Sequence, residues 1–228
     1  MEDLLSLKKR QIFINHQLSI MLYEQTLFKA DGGEGLHLWE ASVVLTRYCI
    51  KNKNLFDNKA VIDIGTGCGL LGISLLLQTN LNKLSFSDYN SEVLDNLKEN
   101  IKLNIRDTDT SRYDIQQFDW RQYNEINLQY DIIVGSELIY QGGYIEELAK
   151  LIKKILKPNG ICLISMPLKR SMTNKFLSYL DNNSMKHSAY HFNDEKDENL
   201  FVPVLKTANK LFEDLKKMDL MLYKIEHK

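Results

Sequence analysis

Three carboxylates in this chain stand at or near the ends of short apolar runs, and one is followed at once by a cluster of glycines. The stretch V-I-D-I-G-T-G-C-G-L-L-G, Val61 to Gly72, sets Asp63 two residues ahead of Gly65, with Gly67, Gly69 and Gly72 close behind. Glycine weakens helices and strands alike, so a cluster inside an apolar run needs a compensating use. Between a strand and a helix, such a loop turns tightly and admits a ligand close to its backbone. It also offers the free N–H groups of the helix start. The second carboxylate, Asp88 in L-S-F-S-D-Y-N, comes nineteen residues after Gly69 at the end of the next apolar run. An acid there can accept hydrogen bonds from both hydroxyls of a ribose, which a neutral side chain cannot match. The third, Glu137 in G-S-E-L-I-Y, follows the apolar run D-I-I-V-G-S. That position lies at the carboxyl edge of an open sheet, where α/β sheets bind ligands.

Plainer uses exist for each group. The loop fits an ordinary tight strand-to-helix turn, Asp88 a turn or helix-start aspartate, and Glu137 a structural carboxylate. The dinucleotide fingerprint G-x-G-x-x-G, begun at Gly65, requires glycine at position 70, where the chain has Leu70. A phosphate-binding loop requires G-K-[ST] after its second glycine, and that is absent. Cys68 reads as a small filler beside the loop, because no partnered histidine marks it as a nucleophile.

The surrounding pattern supplies elements that would hold these groups. KAVIDI reads as a strand before the glycines and LLGISLLLQ as a helix after them. KLSFSD is the next strand, SEVLDNLKENIKLN an amphipathic helix, and YDIQQFDW and QYDIIVGS two further strands separated by a polar loop. YIEELAKLIKKILKPNG has helical periodicity and stops at Pro158-Asn159-Gly160, and ICLISMP is a strand ended by Pro167. Such alternation predicts βαβ units and a mostly parallel sheet covered on both faces. Upstream, QIFINHQLSIML predicts a hairpin turning at Asn15-His16-Gln17, ADGGEG a loop and LWEASVVLTRYCIK a helix. Downstream, NKFLSYLDNN reads as a helix, KHSAYHF as a strand, NDEKDEN as a solvated loop, VLKTANKLFEDLKKM as a helix and LMLYKIEH as a closing strand.

The bulk numbers narrow the class. A net charge of −1 over 228 residues gives no overall footprint for nucleic acid. No apolar run reaches membrane-spanning length, and the N-terminus lacks a secretory core. Cys49, Cys68 and Cys162 are odd in number and far apart. They fit neither a disulfide framework nor a zinc site, which points to a reducing compartment: cytoplasm, with the nucleus as a second location. The five histidines show no metal-ligand spacing, and His37 and His191 read as surface residues.

The D-x-G-x-G-x-G arrangement resembles motif I of the seven-strand methyltransferases that use S-adenosylmethionine. Three more stretches, L-H-L-W-E-A-S, F-D-W and G-S-E-L-I-Y, resemble the family-16 protein methyltransferases, and the likeness runs from Leu36 to Pro167. It implies an α/β, three-layer Rossmann-like fold with a mostly parallel seven-stranded sheet. Residues 1–35 would form a hairpin extension and residues 36–228 the methyltransferase domain. The family's cofactor contacts fall on Trp39, Asp63, Gly65, Thr66, Gly67 and Gly69, then on Asp88, Tyr89, Asn90 and Ser136, with Asp119 and Trp120 near the adenine. The catalytic positions fall on Glu137 and Tyr140. Taken singly, Trp39 also fits a core aromatic, Trp120 a lid over the sheet end and Tyr140 a packing residue. The family implies a protein substrate such as a ribosomal, translation or chaperone protein; the charge balance, run lengths and histidine spacing already speak against nucleic-acid, membrane and metal partners.

Within that family, Glu137 and the S-D-Y-N segment are similar to the S-E-T-I-Y and Q-D-Y-N of its histidine-methylating branch; lysine is the alternative acceptor. A nucleic-acid amino-methyltransferase would carry [DNS]-P-P-[YFW] where this chain has S-E-L-I-Y. A small-molecule methyltransferase and a non-catalytic cofactor-binding module both remain compatible with the same motifs.

Overall fold

Period-two alternation of apolar residues decides the layering. In β3 (Ala60–Ile64), Val61 packs on one side of the sheet and Ile62 and Ile64 on the other. β6 (Tyr130–Ser136) divides the same way, with Ile132 and Val134 against Ile133. β7 (Leu156–Pro167) sets Leu163 against Cys162 and Ile164. Strands apolar on both faces must be covered on both faces. The computed structural model, which describes residues 7–25, 33–105, 110–140, 143–192, 200–201, 215 and 218–228, has a sheet between two helical layers. α1 (Glu40–Lys51), α2 (Leu70–Gln78) and α3 (Ser91–Asn104) cover one face. α4 (Ile145–Ile155) and α5 (Thr173–Asn182) cover the other.

With β4 (Lys83–Asp88), β5 (Tyr113–Gln117), β8 (Met185–His191) and β9 (Leu220–His227), the strand order is β5-β4-β3-β6-β7-β9-β8. The first five are parallel, and β9 runs antiparallel to both neighbours. This is the Rossmann-like, seven-stranded α/β architecture that the motifs implied. The order reverses between β3 and β6, and at such a switch point the strand ends leave a crevice. No helix among the described residues is long and apolar enough to cross a membrane.

The predicted hairpin is β1 (Leu7–Phe13) and β2 (Ser19–Gln25). Asn15 Oδ1 fixes its turn by accepting from the N–H groups of Gln17 and Leu18, both at 2.8 Å. Ile12, Ile20 and Leu22 join the same apolar cluster as α1 to α3. Backbone groups on the outer edge of β2 need partners, and asparagines of α3 supply them. Asn104 accepts from Met21 N–H at 2.8 Å and donates to the Met21 carbonyl at 2.7 Å.

The helix expected from Leu38 begins at Glu40, and the hairpin strands run beyond the 11–22 stretch at both ends. Two other boundaries differ from the sequence reading for a definite local reason. α4 ends at Ile155, and Pro158-Asn159-Gly160 lie within the irregular first stretch of β7, where the register with β6 shifts between Tyr130 and Ile132. Lys157, the residue before Pro158, is pushed toward extended backbone, and the chain has left the helix one residue earlier, at Leu156 with ψ 127°. β5 stops at Gln117, because Asp119 caps a 3-10 turn over Trp120–Glu125. The segment NDEKDEN, expected as a solvated loop, the first half of ADGGEG and most of VLKTANKLFEDLKKM lie outside the described residues, and the second half of ADGGEG begins a 3-10 turn over Gly33–Leu36.

Gly72 sits where α2 meets the sheet. A Cβ there would lie 2.3 Å from Phe86 Cε1 and 3.1 Å from Asp63 Oδ2. Gly72→Ala should therefore destabilise the fold by about 1–3 kcal/mol through overpacking. The expected readout is a lower urea midpoint with an unchanged m value; an unaltered midpoint would show that α2 has room to retreat.

Candidate functional site

A cavity of 520 Å³ opens where β3, β4 and β6 end. Its floor is the glycine loop, shaped by one buried carboxylate. Asp63, 3% exposed, accepts through Oδ2 from the Thr66 hydroxyl at 2.8 Å and the Gly72 N–H at 3.2 Å. Thr66 N–H bonds the Ser87 carbonyl at 2.9 Å, tying the loop to β4. Gly69 is the N-cap of α2 at φ 85°, a left-handed conformation that a Cβ would strain. At Gly67, φ 53°, a Cβ would stand 3.0 Å from the Gly35 carbonyl oxygen. The loop and the 33–36 turn approach each other that closely only because residue 67 has no side chain. Burial pushes the Asp63 carboxyl up to about 7, although its hydrogen bonds to Thr66 and Gly72 pull it down.

The second wall is the end of β4. Asp88 is 8% exposed, and its two oxygens accept from Asn90 N–H at 3.1 Å and Gly67 N–H at 3.4 Å. Burial raises this carboxyl, while the backbone N–H groups of Asn90, Gly67 and Tyr89 work the other way. Asn90 then caps α3, accepting from Glu92 N–H at 2.9 Å, and Tyr89 lies open on the rim. The acid is thus aimed by the start of the helix that follows it.

The third wall follows β6. Glu137 has φ 56°, which is rare for a residue with a side chain and is concentrated at functional sites. Its N–H bonds the Ser165 carbonyl at 2.9 Å, and its carboxylate, only 4% exposed, is ion-paired with Arg170. Ser136 and Tyr140 complete this side. Across the opening, Asp119 accepts from Arg121 N–H at 2.9 Å and from its Nε at 2.7 Å; the guanidinium holds this carboxyl below its ordinary range. Arg121 also stacks over the Tyr144 ring at 4.8 Å. Trp120 lies beside this pair, and Trp39 starts α1 with its ring edge-on to His37 at 5.2 Å.

All fourteen site residues expected from the sequence line this one cavity. His37, read from the sequence as a surface residue, lines it as well and sits 3.1 Å from the Gln25 carbonyl through Nδ1. Arg121 and Arg170 were not anticipated. The signal for Arg170 was a cation just beyond the carboxyl end of β7, on the same sheet edge as the acids. Among the described residues no group of three or more His, Cys, Asp or Glu could hold a metal ion.

The chain is similar to proteins already known. A family profile described as lysine methyltransferase matches residues 16–183. The chain is 34% identical over 151 residues to a histidine protein methyltransferase 1 homolog from Dictyostelium discoideum, covering 63% of this chain and 48% of that protein. It is 28% identical over 148 residues to the protein-lysine N-methyltransferase EEF2KMT from Homo sapiens, covering 60% and 45%. The chain thus spans about half the length of these curated relatives. In fold it is similar to a putative methyltransferase solved with SAH, at a TM-score of 0.63 and 14% identity, covering 99% of this chain and 57% of the other.

The raised Asp63 carboxyl makes stability depend on pH. An acid whose folded pKa exceeds its unfolded value of about 3.9 stabilises the fold while it keeps its proton. That contribution is complete below the unfolded value and is lost as the pH rises through about 7. Asp63→Asn retains an acceptor oxygen for Thr66 and Gly72 but cannot ionise. The unliganded variant should therefore gain melting temperature relative to wild type as the pH is raised across that window. A difference that stays flat with pH would show that Asp63 is already ionised throughout.

Proposed function

The chain belongs to the lysine methyltransferase family, and on that footing we propose that it is an S-adenosylmethionine-dependent protein N-methyltransferase whose preferred acceptor is a histidine side chain. The observation that carries this reading is the meeting, in one cavity, of the glycine loop, the buried carboxylate of Asp88 and the strained, ion-paired Glu137. Relatives named for histidine and for lysine methylation both support a protein acceptor. Three buried free thiols suit a reducing compartment, cytoplasm or nucleus.

The residues present fit the cofactor. The close approach at Gly67 leaves backbone bare on the cavity floor, and Asp88 presents a carboxylate beside it. Asp88 would grip the ribose, and the loop from Asp63 through Gly65, Thr66, Gly67 and Gly69 would hold the amino-acid end. Asp119 and Trp120 would border the adenine, with Trp39, Tyr89, Asn90 and Ser136 completing the enclosure. When bound, the cofactor supplies a methyl group already activated by its sulfonium.

The protein then has to align a nitrogen lone pair with that methyl group and keep water out. Neutral imidazole has such a lone pair at neutral pH and needs chiefly the correct tautomer and aim. Glu137, held by Arg170, accepts a hydrogen bond from the far N–H of the acceptor ring and so selects that tautomer. Tyr140 lines the same space. A lysine acceptor, the second reading, is favoured by the family description and must first lose its proton.

Calorimetric titration with S-adenosylhomocysteine tests the cofactor half. Asp88→Ala should weaken that binding by more than about tenfold, or about 1.4 kcal/mol; unchanged affinity would remove the ribose assignment. Glu137→Ala should bind the same compound normally while its transfer of labelled methyl into lysate protein falls by about a hundredfold or more. An active Glu137→Ala enzyme would take Glu137 out of the mechanism. Mass spectrometry of the labelled protein distinguishes the acceptors, with N-methylhistidine expected and methyllysine favouring the second reading.

A further inference from the structure

We infer that Asn100, on α3 and outside the cavity, is a positioning residue for the glycine loop, and that through it the N-terminal hairpin is a working part of the cofactor site. The inference rests on the cofactor reading above, but its geometry is independent of any ligand.

Asn100 is fully buried. Its Oδ1 accepts from Tyr23 N–H at 2.7 Å, and its Nδ2 donates to the Tyr23 carbonyl at 3.1 Å. The side-chain amide therefore takes the place of a neighbouring strand along the outer edge of β2. The same Nδ2 also donates to the Cys68 carbonyl at 3.0 Å. Cys68 and Gly69 are joined by a peptide unit in the middle of the glycine loop. Its carbonyl is held by Asn100, and its N–H, on Gly69, bonds the Thr66 carbonyl at 2.9 Å. With both ends tied, that peptide plane cannot rotate, and its plane sets the direction of the N–H groups that begin α2.

Asn104 provides the contrast. It clamps the same strand two residues away, at Met21, and among the described residues its other side-chain bond is to its own helix, at the Asn100 carbonyl. Both asparagines anchor the hairpin; of the two, among the described residues, Asn100 alone reaches the loop. A buried carbonyl without its donor is costly, so loss of the Asn100 amide frees the Cys68–Gly69 peptide to turn in search of another partner.

The test compares Asn100→Leu with Asn104→Leu, near-isosteric changes that each remove an anchor of the hairpin. At a temperature well below both melting transitions, titration with S-adenosylhomocysteine should show affinity at least about tenfold weaker in Asn100→Leu and within about threefold of wild type in Asn104→Leu. In the unliganded proteins, amide exchange over residues 67–72 should speed up in Asn100→Leu and not in Asn104→Leu. Equal losses in the two variants would overturn the inference, because the hairpin would then act only through general stability. Normal affinity and exchange in Asn100→Leu would overturn it directly. If Asn100→Leu does not fold, Asn100→Asp keeps the acceptor for Tyr23 and removes the donor to Cys68, and the same outcomes apply. Failure of the wild-type protein to bind the compound would sink the cofactor reading, and the exchange measurement would still decide the role of Asn100.

Discussion

Oδ2 of Asp63 accepts from the Thr66 hydroxyl and from the Gly72 N–H, and this pair of bonds folds the glycine loop back over the end of β3. The donors lie on either side of the sharp turn that Gly67 and Gly69 make possible, so one atom clamps both limbs of the loop. The clamp works because it is dry: at 3% exposure no water competes for the oxygen. Burial in turn requires α2 to lie hard against Phe86, which only a glycine at 72 permits. Loop, helix contact and buried acid are thus one device. The neighbouring Asp88 inherits its setting, since the Gly67 N–H that steadies it belongs to the same loop.

The device explains the charge arrangement of the cavity. Two buried carboxylates lie under and beside the loop, and Glu137 and Asp119 are each engaged by an arginine. Burial favours the protonated form of these two acids, and a cation bound beside them, such as a sulfonium nucleoside with its charge close to its sugar, would draw them back to the ionised form. The arginines keep the two outer acids from acting as open cation traps at the mouth. On the proposed reading, selectivity between a charged and a neutral acceptor would depend on how Glu137 divides its oxygens between Arg170 and the incoming side chain.

Much of this was readable in the chain because it is written in local patterns. The alternation of Val61 with Ile62, or of Ile132 with Ile133, specifies a strand buried on both faces without reference to anything distant. The glycines and the acids after β3, β4 and β6 mark the carboxyl edge of the sheet by position alone. What stayed hidden are contacts between elements far apart in sequence. Arg170 meets Glu137 across 33 residues, and a basic residue after a strand carries no spacing that names its partner. Asn96, Asn100 and Asn104 look like the polar side of an amphipathic helix, yet Asn96 and Asn100 are buried, and all three bond the β2 backbone. Their four-residue spacing was visible; that a strand would lie along it was not. His37 looked like a surface residue for the same reason, since its place depends on Trp39 and on the hairpin carbonyl of Gln25.

The position of β9 has a consequence for how the chain is made. It lies between β7 and β8, pairing with both, and among the described residues β8 has no other strand beside it. During synthesis β7 is finished about fifty residues before β9 emerges, which at roughly 5–20 residues per second is a delay of several seconds. Through that interval a nascent chain carries a hydrophobic strand with an unpaired flank, the kind of surface that aggregates or recruits a chaperone. The crevice that would hold the cofactor lies on the other side of β7, among strands already complete. The part of the molecule that would do the chemistry can therefore be assembled while its far border is still open on the ribosome.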